Sequence, residues 1–163
     1  MRMCLKIFVL IFILSCQQGL IKLERDDFSI HYPFGLILDE SGKEGTLFIL
    51  KTEKENSEDV FIENINLVKA NIGNLSFDDL RTKTIRDVKK IANVLEDDKI
   101  KVNGNDCLRI IFELSEQGQK MKVMQHFIIK KEKIYVLTFT SESKNYETYF
   151  NAMNETLLSF KLK

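Results

Sequence analysis

The sequence has no tryptophan, one proline, seven glycines and two histidines among its 163 residues. With so few chain breakers and no low-complexity stretch, nothing marks an interdomain linker, and the length suits one domain behind a short leader. The two histidines have no spaced cysteine partner, and neither HExxH nor CxxC occurs, so no metal site is expected. Gly42 and Gly45 make no phosphate loop, because neither GxxxxGK[ST] nor GxGxxG follows a strand pattern. No cofactor is expected. A surplus of one charge is missing too, with 24 Lys and Arg against 24 Asp and Glu. That balance supplies no electrostatic drive toward nucleic acid or an anionic lipid surface. Long apolar runs are also lacking. The most prominent, residues 7–14, would rise about 12 Å as a helix against roughly 30 Å of hydrocarbon. It is too short to span a membrane.

That run is nevertheless the most informative segment. Arg2 and Lys6 precede it, Ser15 supplies a small residue, and Cys16 follows. A positive start, a short apolar core and a small residue make a removable export signal. Ile13-Leu14-Ser15-Cys16 resembles a bacterial lipobox, which implies alkylation of the Cys16 thiolate by a diacylglyceryl group and cleavage before it. A plain secretory signal with Cys16 as an ordinary residue, or a buried N-terminal strand, are the alternatives. The lipobox reading divides the chain into a signal peptide (1–15), a lipidated N-terminus and short tether (16–24) and a folded domain (25–163). Cleavage would leave 22 basic against 24 acidic side chains and remove Cys4. Cys107 would then have no thiol partner, a state a chain of this size tolerates because it buries its own core.

Periodicity supplies the elements. Phe28, Ile30 and Tyr32 alternate as one face of a strand, which Pro33 should end or place at an edge. Residues 34–38, 46–51 and 60–68 read as further strands, with Ile65 and Leu67 facing inward, and residues 51–59 as a polar loop. Ser76 can cap a helix, with Asp79 three residues on. Phe77, Leu80, Thr84, Val88, Ile91 and Leu95 then continue at helical spacing. Asn103-Gly104 is a turn after a strand at 100–102. Beyond it, Leu108, Ile110, Phe112 and Leu114 share one strand face, and Cys107, Arg109, Ile111 and Glu113 the other. Residues 119–129 and 134–140 complete a meander whose short polar turns favour antiparallel pairing. A second helix over 144–158, with Ser143 as its cap, carries the stripe Tyr146, Phe150, Met153 and Leu157, and residues 159–162 can form a last strand. Two amphipathic helices hide their stripes by packing on an antiparallel sheet, so the expected fold is α+β, the sheet flanked by helices in an α/β/α sandwich.

Reactive groups do not assemble along the chain. Cys107 is a nucleophile only with a lowered pKa and an adjacent base, and it reads as a small buried hydrophobe. His126 shares a strand face with Lys122, Met124 and Ile128 and, like His31, reads as a polar or half-buried strand residue. Glu53, Glu55, Glu58 and Asp59 crowd one loop and Asp97-Asp98 follow the first helix, without the order of a calcium loop. Lys83, Arg86, Lys89 and Lys90 read as a solvated helix face.

The segment from Phe28 to Lys161 resembles the PsbP-like superfamily of small α/β/α sandwiches. The resemblance rests on FSIHYPFG, DVFIENINLV, SFDDLRTKTIRDVKKI, VNGNDCLRIIFEL, KVMQHFIIKKEKIYVLTFTS and YETYFNAMNETLLSFKL, in that order. The superfamily includes a photosystem extrinsic protein, a Ran-binding nuclear import factor and exported bacterial proteins. It implies function expressed through surfaces rather than through an embedded catalytic constellation. No photosystem-contact residue carries over, and the exported N-terminus argues against nuclear import. The expectation is therefore a non-enzymatic bacterial lipoprotein outside the cytoplasm. Its acylated Cys16 would sit in a lipid membrane, inner or outer being left open, and an envelope protein would be its partner. Two alternatives are a small-molecule carrier, with a cavity lined by Phe77, Phe112, Met121 or Met153, and a hydrolase using Cys107 or His126.

Overall fold

The computed structural model describes residues 19–54, 61–116 and 118–163. Cys4, Cys16, Glu55, Glu58 and Asp59 lie outside them. The chain runs β1 (Leu20–Glu24), β2 (Phe28–Pro33), β3 (Ile37–Asp39), β4 (Thr46–Lys51), β5 (Asn64–Asn71), α1 (Phe77–Val88), β6 (Asn93–Val102), β7 (Asn105–Glu116), β8 (Gln119–Lys130), β9 (Lys133–Glu142), α2 (Tyr146–Leu158) and β10 (Lys161–Leu162). Seven strands form one antiparallel sheet in the order β3-β4-β5-β9-β8-β7-β6, and a second sheet has the order β1-β2-β10. The α+β expectation holds: a many-stranded antiparallel sheet is flanked by two helices. The ends of the chain add a feature of their own, closing into a small sheet instead of joining the large one.

The meander follows its alternation. Leu108, Ile110 and Phe112 of β7 pack under α1, whereas Cys107 and Ile111 face α2. Asn103 and Gly104 take the positive φ values of 46° and 84° that a tight Asn-Gly turn requires. The Asn103 amide also donates to the carbonyls of Leu158 (3.0 Å) and Phe160 (2.9 Å), tying this hairpin to the end of α2. Ile65 and Leu67 are buried as expected, and so are Tyr146, Met153 and Leu157 of the α2 stripe.

Three boundaries differ from the sequence reading. Residues 20–24, assigned there to a tether, are β1, paired with β2 from Leu20↔Pro33 to Glu24↔Ser29. Alternation explains this: Leu23 faces inward opposite Ile30, and Lys22 and Glu24 face out. Secondly, α1 starts at its Ser76 cap, whose Oγ accepts from the Asp79 amide at 3.1 Å, but it ends at Val88. Leu95, the last residue of the expected stripe, sits in β6 at a register shift between Val94 and Glu96. Pairing along β7 outweighs local helical periodicity there. The resulting edge strand carries Glu96, Asp97, Asp98, Lys99 and Lys101, charges that discourage further pairing. Thirdly, α2 begins after Asn145 rather than Ser143. Asn145 donates to the Glu63 carboxylate at 3.3 Å, and Ser141 donates to the same oxygen at 3.2 Å.

Two cores result. On one face of the large sheet, α2 and the small sheet cover residues such as Phe48, Leu67, Met124 and Phe139. On the other, Leu80 and Val88 of α1 pack on β7 and β8. Asp27 links the sheets: its carboxylate accepts from Lys69 at 2.5 Å and from the Tyr135 hydroxyl at 3.1 Å. The Lys69 contact, ahead of Tyr135, holds the Asp27 carboxyl below the usual carboxylate range against the opposing effect of burial.

Candidate functional site

The nucleophile and base candidates lie on one sheet face but do not cooperate. Cys107 stands opposite Ile128 and His126 opposite Arg109, which makes Cys107 and His126 diagonal neighbours on adjacent strands. Both side chains are fully buried, and no hydrogen bond joins them. Burial pushes the Cys107 thiol up to about 12, so it is not a thiolate at neutral pH. Burial first, and the Arg109 charge second, push His126 down to about 4. Neither imidazole nitrogen has a partner, and the Arg109 Nε and Tyr146 hydroxyl are likewise unpartnered. His126 is more deeply buried than its polar character suggests, because α2 and the small sheet cover this face. His31 is half-buried in β2, where its backbone N–H donates to the Ser159 hydroxyl at 2.8 Å and its carbonyl accepts from it at 3.1 Å.

Charged clusters resolve into ion pairs. Asp97 pairs with Arg81 of α1, and Asp98 accepts from Arg109 at 2.7 Å. Asp87 pairs with Lys90 at 2.6 Å and Arg86 at 3.6 Å, so two of the four basic side chains of the cluster Lys83, Arg86, Lys89 and Lys90 share one carboxylate. Among the described residues, no group of three or more His, Cys, Asp or Glu is placed to hold a metal ion. Among the described residues the most deeply buried carboxylate is Glu63, which sequence reasoning missed. It meets Asn145 and Ser141 beside the start of α2, where a helix N-terminus favours an anion, and its place is structural.

The four residues assigned to a carrier cavity are separated by the large sheet. Phe77 and Phe112 belong to the α1 face, Met121 stands opposite Leu114 on that same side, and Met153 belongs to the α2 face. They do not line one space. The surface offers other features instead. A groove of about 380 Å³ runs beside α1 and is lined by Ile72, Leu75, Leu80, Ile91, Gln125 and Phe127, among others. A second, of about 430 Å³, is rich in lysine and lined by Lys130, Lys131, Lys133 and Lys163 beside Tyr135. Lastly, Leu20, Ile21, Phe34 and Ile37 are exposed together where β1 begins and β2 turns into β3. Sequence reading put Phe34 in a strand; it sits in the turn, beyond Pro33 and next to Gly35, whose φ of 105° permits the reversal. No helix among the described residues is long and apolar enough to cross a membrane.

An antiparallel sheet between two helices, with chain ends closing a small sheet over one of them, defines a class of small α+β sandwich. Solved structures place that architecture: the chain has the PsbP-like fold. The cyanobacterial PsbP (CyanoP) of Synechocystis superposes with a TM-score of 0.65 at 14% identity, over 90% of this chain and 94% of that one. LpqN of Mycobacterium tuberculosis, described as involved in cell envelope biogenesis, gives 0.67 at 12% identity, over 89% and 91%. A protein of unknown function from Pseudomonas aeruginosa gives 0.61 at 11%, over 86% and 94%. The likeness is one of fold. No family sequence model and no curated protein matches the sequence.

Proposed function

We propose that the chain is an exported lipoprotein, acylated on Cys16, whose folded domain binds or supports another component of a bacterial cell envelope. The observation that carries this reading is the N-terminal order: Arg2 and Lys6, an apolar run, then Ile13-Leu14-Ser15-Cys16, with only Gln17, Gln18 and Gly19 before β1. A role in association rather than in reaction is supported by the burial of Cys107 and His126, neither of which meets a partner that would activate it. The fold shared with LpqN fits an envelope setting.

The test compares the full-length chain with Cys16→Ser in cells. Mass spectrometry of the N-terminal peptide and fractionation of membranes should find an acylated Cys16 and a membrane-bound protein in the first case only. Proximity crosslinking should recover specific envelope partners from the parent and lose them with the variant. Retention of both membrane fraction and partners by Cys16→Ser would overturn the reading.

A further inference from the structure

We propose that the apolar patch made by Leu20 at the end of the small sheet, Phe34 in the β2–β3 turn and Ile37 at the start of β3 rests on the lipid surface into which Cys16 is anchored. The domain is thereby held in one orientation against the bilayer instead of swinging on a leash. This inference rests on the lipoprotein reading above and adds to it a membrane-facing surface.

The path of the chain is the first argument. Phe34 donates its backbone N–H to the Gly19 carbonyl at 2.9 Å, so the point where the tether meets the domain is pinned to the β2–β3 turn. From Cys16 to Gly19 an extended chain reaches only about 10 Å. An acylated Cys16 at the lipid surface therefore leaves this turn no room to stand far from it.

The surface at that point is the second. Among the described residues eight large apolar side chains are exposed, and four of them, Leu20, Ile21, Phe34 and Ile37, belong to this one end. Phe34 is 76% exposed, Leu20 65% and Ile37 50%. Single exposed apolar residues need no explanation, whereas a grouped set marks a contact surface. Leu20 stands opposite Pro33 on the outer side of the small sheet, so the patch continues from strand to turn. The stretches 19–21 and 33–38 contain no charged residue, which lowers the cost of bringing this end into the headgroup region. An aromatic ring flanked by leucine and isoleucine is the composition that enters the boundary between headgroups and acyl chains. The lysine-rich groove lies elsewhere, at the β8–β9 turn and Lys163, where Lys163 meets the Asp27 carbonyl at the opposite end of β2. An anchored domain in this orientation presents that groove away from the bilayer.

Absence of tryptophan from the sequence makes the test direct. Full-length Phe34→Trp carries a single indole at the patch, and full-length Ile91→Trp carries one at a position that is also 76% exposed but lies beyond α1. Each acylated protein is placed in vesicles of phosphatidylethanolamine and phosphatidylglycerol, with or without bromine on the upper acyl chain. Phe34→Trp should emit at shorter wavelength and lose most of its emission to bromine, while Ile91→Trp keeps a water-exposed spectrum and is not quenched. Equal behaviour of the two probes, with Cys16 acylation verified by mass, overturns the lipid contact and leaves the tether standing. An unmodified Cys16 overturns the tether and this inference with it. A blue shift that follows protein concentration and ignores bromine assigns the patch to a second copy of the chain, and overturns the proposal as well.

Discussion

The two faces of the large sheet are covered by different means. Beneath α2 and the small sheet, 21 buried residues among those described form one cluster, drawn from both sheets and the helix. Beneath α1 the corresponding cluster has eight, and a groove of about 380 Å³ remains open along the helix. Burial of apolar area is the dominant favourable contribution to folding, so the α2 face holds most of the stability and α1 is a lighter cover. The chain thus keeps its reactive-looking residues, Cys107 and His126, on the side that is sealed. Its accessible features lie on the side or at the ends where packing is thin.

The largest effect should come from truncating matched leucines on the two helices. Leu157 of α2 is fully buried, and Leu80 of α1 is 6% exposed at the edge of the groove. Leu157→Ala leaves a closed cavity and should cost about 3–5 kcal/mol, whereas the gap from Leu80→Ala opens to solvent and should cost about 2 kcal/mol. Urea denaturation followed by circular dichroism measures both. Equal losses would break the contrast between the faces.

The difference between acid titrations of the parent and of His126→Leu probes the sealed face. His126 is held near a pKa of about 4 when folded, against 6.5 for the ordinary imidazole. The unfolded chain therefore binds a proton that the folded chain refuses, and stability falls as pH drops from 6.5 to about 4. The depressed value corresponds to roughly 3 kcal/mol lost across that window, after which the contribution levels off. Arg109 opposite His126 on β7 adds to the penalty on the charged ring. His126→Leu should abolish this part of the pH dependence and leave the fold stable at neutral pH, since both ring nitrogens lack partners to lose. Remaining acid sensitivity below pH 4 belongs to paired carboxylates such as Asp27, held below their usual range by lysine. Identical pH profiles for the parent and His126→Leu would show that water reaches the ring, and that this face is less well sealed.

The same contrast explains what the sequence disclosed. Strands β7, β8 and β9 and the stripe of α2 were legible, since alternation and helical spacing report which side chains share a face. The end of α1 was not. Ile91 and Leu95 keep helical spacing with Val88, but Ile91 lies in the turn that ends α1, and the pairing of β6 along β7 from Asn93 onward makes Leu95 part of a strand. Nor does alternation say whether a face is covered. His126 reads as half-buried until α2 and the small sheet are laid over it. The short strand β1 was hidden for a similar reason, because five residues acquire strand structure only against β2. As for the candidate site, the chain order near Cys16 could be read directly. The patch at Leu20, Phe34 and Ile37 could not, because its parts are joined by the β1–β2 register and a turn.

The smallest effect tests how α1 is held. Apart from Leu80 and Val88, its tie to the edge strand includes the ion pair of Arg81 with Asp97. These side chains are 47% and 28% exposed, so solvent screens the pair and its geometry restricts two mobile groups. Asp97→Asn should cost less than about 1 kcal/mol at low ionic strength. At roughly 1 M salt, where the Debye length falls to about 3 Å, the difference should vanish. Chemical denaturation with urea, which adds no charge, follows both conditions. A larger, salt-independent loss would mean that polar docking, not the two buried apolar side chains, keeps α1 on the sheet. The groove beside it would then be bounded by a firmly fixed helix, and the difference between the two faces would be one of chemistry instead of strength.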